Sequence, residues 1–217
     1  MSPPSLAPGF SEPARDSQRV FRALMAAMAE PGKILPLPAG LNPPAPLTSE
    51  LAALALTLLD FETSVWLDDP LAKAEPVLDF LRFHTSARIV GAPGEAQFAL
   101  ISEAAALPPL SEFACGEPDF PDRSATLLIR VARISDVPFR LSGPGLKEDR
   151  PFGADPLPPD FAERMAANRA LFPLGVDLVL AAPGEIVCLP RSVVIATPDA
   201  PHVLPHVLPR VPDLEES

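Results

Sequence analysis

The stretch LFPLGVDLVLAAPGEIVCLPR, residues 171–191, decides the fold of this chain. It contains the end of a helix, two apolar runs separated by Pro-Gly at residues 183–184, and a final arginine. So short a connection between VDLVLAA and IVCLP predicts an antiparallel hairpin of two buried strands. The amphipathic segment before it, DFAERMAANRALF (160–172), predicts a helix. A helix that leads into buried strands indicates an α/β domain.

Three earlier segments carry apolar residues at helical spacing. The first covers residues 17–30 and is expected to begin at a cap formed by Asp16. The second covers about residues 49–59, and its nearly uniform apolar character predicts a buried helix. The third covers residues 77–85, and Pro76 lies where its first turn would be, a position at which a helix tolerates proline. Helices therefore occur in both halves of the chain.

Runs of β-branched and aliphatic residues predict the strands between these helices. The strongest is ATLLIRVARI (125–134), and FRLSG (139–143) is expected to pair with it through a turn at residues 136–138. SVVIA (192–196) is expected to complete the same sheet. Together these predict a three-layer α/β/α fold with a mixed sheet. Shorter strands are predicted at residues 63–67, 88–90 and 97–101.

Proline marks the boundaries of the domain. The chain has 31 prolines among 217 residues, well above the usual share of about 5%. Their clusters predict a Pro-rich lead at residues 1–14, a single α/β domain at 15–197 and a Pro-rich acidic tail at 198–217 that is expected to be flexible. In the tail, the prolines exclude a helix that would pair His202 with His206, so no metal site is predicted.

The charge balance restricts the partners of the chain. With 17 basic and 28 acidic residues the net charge is −11, which disfavours nucleic-acid binding. The N-terminus lacks the features of a signal peptide, and the longest apolar run (51–59) is too short for a membrane span. Cys115 and Cys188 match no metal or redox spacing and are expected to be free thiols. We therefore predict a cytoplasmic protein that binds neither membranes nor nucleic acids.

A glycine pair after a predicted strand is the first candidate site. Common catalytic and nucleotide-binding motifs are absent, which leaves LSGPGLKE (141–148) as the segment most able to bind an anion. Gly143 and Gly145 could turn backbone N–H groups toward an anion, with Lys147 close by. The simpler interpretation is a tight turn that needs glycine for its backbone angles.

Two further pairs of residues are candidates for anion binding or for an interface. Arg82 could bind a phosphate or phosphonate with two parallel donors, and His84 could transfer protons near neutral pH. Alternatively, both side chains only favour the negative end of a helix dipole. Asp177 and Arg191 frame the predicted hairpin, where an ion pair is the simpler interpretation and a catalytic role the other.

Six segments, in this order and spacing, resemble the PhnH family of the bacterial carbon–phosphorus lyase system. The resemblance covers about residues 9–195, so the lead and the tail from about Pro198 fall outside it. The segments are DSQRVFRALMAAMAEPG (16–32), LALTLLDFETSVWL (54–67), LRFHT (81–85), ATLLIRV (125–131), LSGPGL (141–146) and FPLGVDLVL…LPR (172–191).

The resemblance implies a fold like that of the pyridoxal-phosphate-dependent transferases, without the cofactor. A Schiff-base enzyme needs a buried lysine. None of the three lysines, Lys33, Lys73 and Lys147, lies on a convincing buried element. We therefore expect that this chain binds neither pyridoxal phosphate nor any other cofactor.

The resemblance also implies partners. Family members belong to a core complex with G-, I- and J-type subunits and dock on the I-type subunit. Together with the G- and I-type subunits and an L-type ATPase-like protein, they take part in replacing the adenine of MgATP by a phosphonate. Cleavage of the C–P bond belongs to the J-type subunit and its iron–sulfur cluster. The isolated chain is expected to be a non-catalytic homodimer.

Three hypotheses follow. The chain is an accessory subunit of that transferase, or a stand-alone binder of a small anion, or a scaffold whose apolar surface serves dimerisation and docking. The stand-alone binder would use Arg82, His84 and the loop at residues 143–147. We favour the accessory subunit, because the segments match in register and the usual catalytic motifs are missing.

Overall fold

A computed structural model describes residues 6–197. The predicted tail at 198–217, with His202 and His206, and the first five residues of the predicted lead lie outside the described residues. The helices are α1 (Pro13–Ala29), α2 (Ser49–Leu58), α3 (Asp69–Ala72), α4 (Glu75–Thr85) and α5 (Phe161–Ala170). The first strands are β1 (Leu35–Pro36), β2 (Ser64–Leu67), β3 (Arg88–Ile89), β4 (Phe98–Ile101), β5 (Cys115–Glu117) and β6 (Phe120–Ser124). The remaining strands are β7 (Thr126–Arg130), β8 (Arg133–Ser142), β9 (Arg150–Asp155), β10 (Asp177–Ala182), β11 (Glu185–Leu189) and β12 (Val194–Ala196).

A seven-stranded mixed sheet forms the centre of the fold. Its order is β1-β11-β10-β7-β4-β2-β3. The strands from β10 to β3 run parallel, whereas β11 and β1 are antiparallel additions at one edge. The predicted hairpin is confirmed, because β10 and β11 pair from Leu178↔Leu189 to Ala182↔Glu185. Gly184 closes its turn with φ +77°, a conformation that suits glycine.

Alternating side chains of the strands divide the core between the two faces of the sheet. On β7, Leu128 packs into the cluster that contains α1, α2 and α4, whereas Leu127 and Ile129 pack into the cluster on the other face. The buried helix α2 is confirmed, with Leu51 through Ala55 fully buried. The second face is covered by α5 together with a three-stranded sheet, β12-β8-β9. The mixed α/β class is therefore confirmed, but the second layer is only partly helical.

The strand after β7 differs from its prediction. β7 ends at Arg130, and β8 enters the three-stranded sheet instead of turning back at residues 136–138 to pair with β7. The predicted turn is an irregularity inside β8, where the register toward β9 shifts between Ser135 and Phe139. The predicted strand at 192–196 also joins this sheet, because β12 pairs with β8.

Several short strands that contain or adjoin proline were not predicted from the sequence. The sequence patterns predict no strand at β1, at β9 or in the β5–β6 hairpin, all of which contain or adjoin proline. Pro36 in β1 and Pro151 in β9 both lie in edge strands, where a missing backbone donor costs little. Proline density therefore identified sheet edges as well as loops.

The first helix also begins earlier than predicted. α1 starts at Pro13, whose fixed φ angle suits the first helical position. Asp16 lies in the first turn, where its carboxylate accepts a hydrogen bond from the Glu12 backbone N–H at 3.0 Å. That bond, together with Arg19, lowers the pKa of Asp16. Asp16 thus stabilises the helix start from inside the helix rather than as its cap.

The register shift in β8 leads to a test on Gly153 of β9. A Cβ atom at Gly153 would lie 1.5 Å from the Val137 carbonyl oxygen, so any side chain must displace backbone. We expect Gly153→Ala to lower the free energy of unfolding by about 3 kcal/mol, measured by urea denaturation. Gly91→Ala is the matched control, because nothing lies within 4 Å of its added Cβ. Equal stability of the two variants would contradict the described packing of β8 on β9.

Candidate functional site

The order of the parallel strands defines where an open α/β sheet would bind a ligand. The chain runs from β2 to β3 on one side and then crosses to β4 on the other side of β2. In such sheets ligands bind in the crevice at the carboxyl ends of the strands, at the point where the strand order reverses. Here that point lies between the ends of β2 and β4.

A buried aspartate occupies this crevice. Asp68 directly follows β2 and is 7% exposed. Its carboxylate accepts hydrogen bonds from the backbone N–H of Ser102 at 2.7 Å, the Ser102 hydroxyl at 2.9 Å and the backbone N–H of Glu103 at 3.0 Å. It also accepts a longer bond of 3.4 Å from the backbone N–H of Leu71 in α3.

The Asp68 carboxylate therefore occupies the place that an anionic ligand would take, where the strand order reverses. The donors that would face a ligand oxygen after β4 are already bonded to the Asp68 side chain. Sequence reasoning missed Asp68, although an aspartate followed by Asp-Pro after a strand was a visible signal for a helix cap. Its main partners lie 34 and 35 positions away, so no local pattern could reveal them.

A partly buried ion pair lies at the opposite ends of the parallel strands. Asp177 begins β10, and Arg191 follows β11. Arg191 donates to both carboxylate oxygens of Asp177, from Nε at 3.2 Å and from Nη2 at 2.5 Å, and its backbone N–H donates at 2.7 Å. The two side chains are 16% and 15% exposed. Nη2 also donates to the Ser124 hydroxyl.

The remaining bonds of Arg191 tie loops to the sheet. Its Nη1 donates to the carbonyl oxygens of Pro121, at 2.9 Å, and Pro173, at 3.4 Å. The guanidinium thus joins the β5–β6 hairpin, the turn after α5 and both strands of the central hairpin. This geometry favours the interpretation of Asp177 and Arg191 as a structural ion pair, and a catalytic role stays a prediction.

The backbone conformation of the loop at residues 143–147 accounts for its two glycines. Gly143 and Gly145 have φ angles of +125° and +86°, which side-chain-bearing residues rarely adopt. A Cβ atom on Gly145 would lie 2.9 Å from the Ala29 carbonyl oxygen at the end of α1. Lys147 is exposed and lines a cleft whose acidic residues include Glu30. The geometry favours the tight turn, and anion binding by this loop stays a prediction.

Arg82 and His84 lie on the last turn of α4. Arg82 is exposed and forms weak ion pairs with Glu75 at 3.5 Å and Asp79 at 3.9 Å. The His84 Nε2 lies 3.0 Å from the Ala7 carbonyl oxygen, so Nε2 carries the proton and donates. These contacts hold the helix and residues 7–9 together, and a role in substrate binding stays a prediction.

Of the seven candidate residues, the structure brings Asp177 and Arg191 into direct contact. Gly143 approaches the backbone of Ser192, next to Arg191. Arg82 and His84 contact α4 and the N-terminal segment, whereas the loop of Gly145 contacts the end of α1. The contacts of the described residues therefore do not unite the candidates in one catalytic cluster.

Three further properties bear on the chemistry within residues 6–197. No group of three or more histidine, cysteine or acidic side chains is arranged to hold a metal ion in this part of the chain. Cys115 and Cys188 are free, as predicted, and burial raises the pKa of both thiols. In the same range, none of the helices combines the length and the apolar character that a bilayer crossing requires.

The fold is that of a mixed α/β protein. The charged side chains of Asp68, Asp177 and Arg191 bind the protein's own backbone and loops. Comparison with known proteins gives its family. The model of the family described as "Bacterial phosphonate metabolism protein (PhnH)" matches residues 8–196. This chain therefore belongs to the PhnH family, as its sequence resemblance predicted.

Two relatives support the assignment. The chain is 41% identical over 184 residues to the alpha-D-ribose 1-methylphosphonate 5-triphosphate synthase subunit PhnH of Rhizobium meliloti (strain 1021), covering 84% of this chain and 92% of the relative. It is 32% identical over 176 residues to the putative C-P lyase subunit protein HtxG of Stutzerimonas stutzeri, covering 81% and 83%.

The contacts of Arg191 predict a large loss of stability when its guanidinium is removed. Arg191→Ala leaves the partly buried Asp177 carboxylate without its counterion and removes the bonds to two loop carbonyls, so it is expected to cost about 3 kcal/mol of unfolding free energy. Arg191→Lys keeps the charge but not the planar array of donors, so we expect it to recover only part of this loss. The control is Arg133→Ala, which removes an ion pair exposed by 73% and 60%. Equal denaturation midpoints for Arg191→Ala and Arg133→Ala would refute the structural role.

The burial of Asp68 predicts a contrast between two adjacent aspartates. Asp68→Ala leaves the buried donors of Ser102 and Glu103 unsatisfied, and we expect a loss of about 3 kcal/mol. Asp69→Ala removes only an exposed bond to Lys73 and is expected to change stability much less. Thermal or urea denaturation measures both variants. A loss from Asp69→Ala as large as that from Asp68→Ala would contradict this account of the crevice.

Proposed function

We propose that this chain is the PhnH-type subunit of an alpha-D-ribose 1-methylphosphonate 5-triphosphate synthase and acts in the use of phosphonates. The observation that carries the proposal is the 41% identity to the Rhizobium meliloti subunit of that name, across 92% of that protein. The match to the family model, at residues 8–196, takes in nearly all of the described fold.

The geometry supports an accessory role within that synthase. Replacing the adenine of MgATP by a phosphonate breaks a C–N bond at the ribose and forms a C–O bond to the phosphonate. Such a step needs a group that protonates the leaving base and cations that hold the triphosphate. In this chain Asp68 and Arg191 are already occupied by internal hydrogen bonds. We propose that the reacting groups and the MgATP site belong to other subunits.

The proposed partners are the G-, I- and J-type subunits, with docking on the I-type subunit, and an L-type ATPase-like protein. A homodimer is proposed for the isolated chain. The relatives' names, "synthase subunit" and "C-P lyase subunit", support assembly into a complex. We also propose that the protein works in the cytoplasm, because its two cysteines are unpaired thiols.

The proposed absence of pyridoxal phosphate is supported by the positions of the lysines. Lys33 pairs with Glu30, and Lys73 pairs with Asp69; both lysines are substantially exposed. Lys147 is exposed in the glycine loop. Burial is one way to activate a Schiff-base lysine, and none of these three side chains is buried. The kinship with the pyridoxal-phosphate-dependent transferase fold that the family resemblance implies is proposed without the cofactor.

The scaffold hypothesis is the second candidate, because large apolar side chains are exposed on several elements. Phe61 and Phe83 are 75% and 72% exposed, and Phe21 and Met25 on α1 are 46% and 51% exposed. Exposed apolar surface of this kind commonly marks protein interfaces. A scaffold and an accessory subunit differ in whether product formation depends on the chain.

Reconstitution tests the accessory role. The isolated chain, given MgATP and methylphosphonate, is expected to release no adenine. A complex assembled from the other synthase subunits without this chain is expected to lose product formation, and adding the chain back should restore it. Chromatographic detection of adenine measures each step. The control is the Gly91→Ala variant, which should restore activity as well as the natural chain does.

Two outcomes contradict the proposal in different ways. Adenine release by the isolated chain would show that it is itself catalytic. Full activity of the complex without the chain would show that it is not a required subunit and would leave docking as its only role.

A further inference from the structure

Arg191 brings two exposed phenylalanines to the same part of the surface. The carbonyl oxygens of Pro121 and Pro173 accept hydrogen bonds from the same Nη1 atom of Arg191. Phe120 and Phe172 directly precede these prolines in the sequence. The start of β6 and the turn after α5, which are far apart along the chain, therefore lie side by side at this end of the sheet.

Each of these phenylalanines carries a guanidinium on its ring. The Arg123 guanidinium carbon lies 4.0 Å from the centre of the Phe120 ring, and that of Arg169 lies 4.7 Å from the centre of the Phe172 ring. The two rings remain exposed, at 44% and 50%, and the neighbouring Leu171 is 43% exposed. We call these five residues the Arg–Phe surface. It combines apolar area with cations held in fixed positions.

The two arginines of this surface lack carboxylate partners within residues 6–197. The described ion pairs include neither Arg123 nor Arg169, although the chain has 28 acidic residues. The Arg169 Nε atom is buried and has no hydrogen-bond partner among the described residues. A guanidinium that stacks through its face keeps N–H donors in its plane, which suits bidentate binding of a carboxylate.

We propose that the Arg–Phe surface docks a segment of another synthase subunit that presents carboxylates beside an apolar side chain. The proposal rests on the proposed function, because it takes the partner from that complex. Carboxylates fit the unpaired guanidiniums, and an apolar side chain would cover the exposed rings and Leu171. Arginine and aromatic residues are enriched at the energetic centres of protein interfaces.

The apolar part of the surface favours a protein partner over a small anion. A phosphonate or a triphosphate could bind the guanidiniums but has no group that would cover two half-exposed phenyl rings. The neighbouring hairpin also carries the exposed acidic residues Glu117, Asp119 and Asp122. These carboxylates repel a small polyanion, whereas a protein segment can place its own charges away from them.

The test measures binding of the natural chain and its variants to the complex of the remaining synthase subunits. Arg123→Glu changes an exposed hairpin residue, and Arg169→Gln removes a charge while it keeps most of the side-chain stem. We expect each to weaken binding by about tenfold or more in calorimetry, with an unchanged thermal midpoint. Arg140→Glu is the matched control, because Arg140 is exposed on β8, away from this surface, and forms no described ion pair. It should bind like the natural chain.

The outcomes separate this proposal from the proposed function. If the natural chain binds the complex and restores its activity but Arg123→Glu and Arg169→Gln bind equally well, the surface assignment is wrong and the proposed function stands. If the natural chain neither binds nor restores activity, both fail. Conversion of a dimer to a monomer by Arg123→Glu, with binding to the complex unchanged, would assign the surface to a second copy. Binding of methylphosphonate or ATP that Arg123→Glu abolishes would instead identify an anion site.

Discussion

The guanidinium of Arg191 holds together parts of the fold that its strands alone do not connect. It pairs with Asp177 at the start of β10 and bonds the Ser124 hydroxyl and two loop carbonyls. Burying a charge is unfavourable unless its donors are satisfied, and here the hairpin and the turn after α5 supply the acceptors. The shape of this end of the molecule therefore depends on one side chain, and so does the position of the exposed rings beside it.

The two ends of the parallel strands are closed by opposite means. At the amino ends the Arg191 guanidinium donates hydrogen bonds to carbonyl oxygens. At the carboxyl ends the Asp68 carboxylate accepts hydrogen bonds from backbone N–H groups. The carboxyl ends are where an open sheet of this order would accept a ligand. Because Asp68 already accepts hydrogen bonds from the backbone N–H groups of Ser102 and Glu103, these donors are not free to bind a ligand there. The proposed docking surface lies at the opposite ends of these strands, beside Arg191.

Local sequence patterns predicted the elements that depend on local physics. The central hairpin followed from two apolar runs and the glycine at position 184, and α2 followed from its uniformly apolar sequence. β9 was missed because Pro151 hides an edge strand, and β8 was predicted as parts of two strands because the irregularity between Ser135 and Phe139 interrupts the alternation. The contacts of Asp68 and the stacking of Arg123 on Phe120 depend on positions in space. The seven candidate residues were chosen by type, and only Asp177 and Arg191 meet.

The charge of the chain limits how it can contribute to phosphonate chemistry. At a net charge of −11, its field repels ATP and phosphonates over distances of about a Debye length, roughly 8 Å at physiological salt. A subunit with this field is poorly suited to collect polyanionic substrates by itself. It is better suited to bind a partner through arginines that form no described ion pair with its own carboxylates. Arg123 and Arg169 are such arginines, and the phenyl rings beneath them keep each guanidinium in place for the partner's carboxylates.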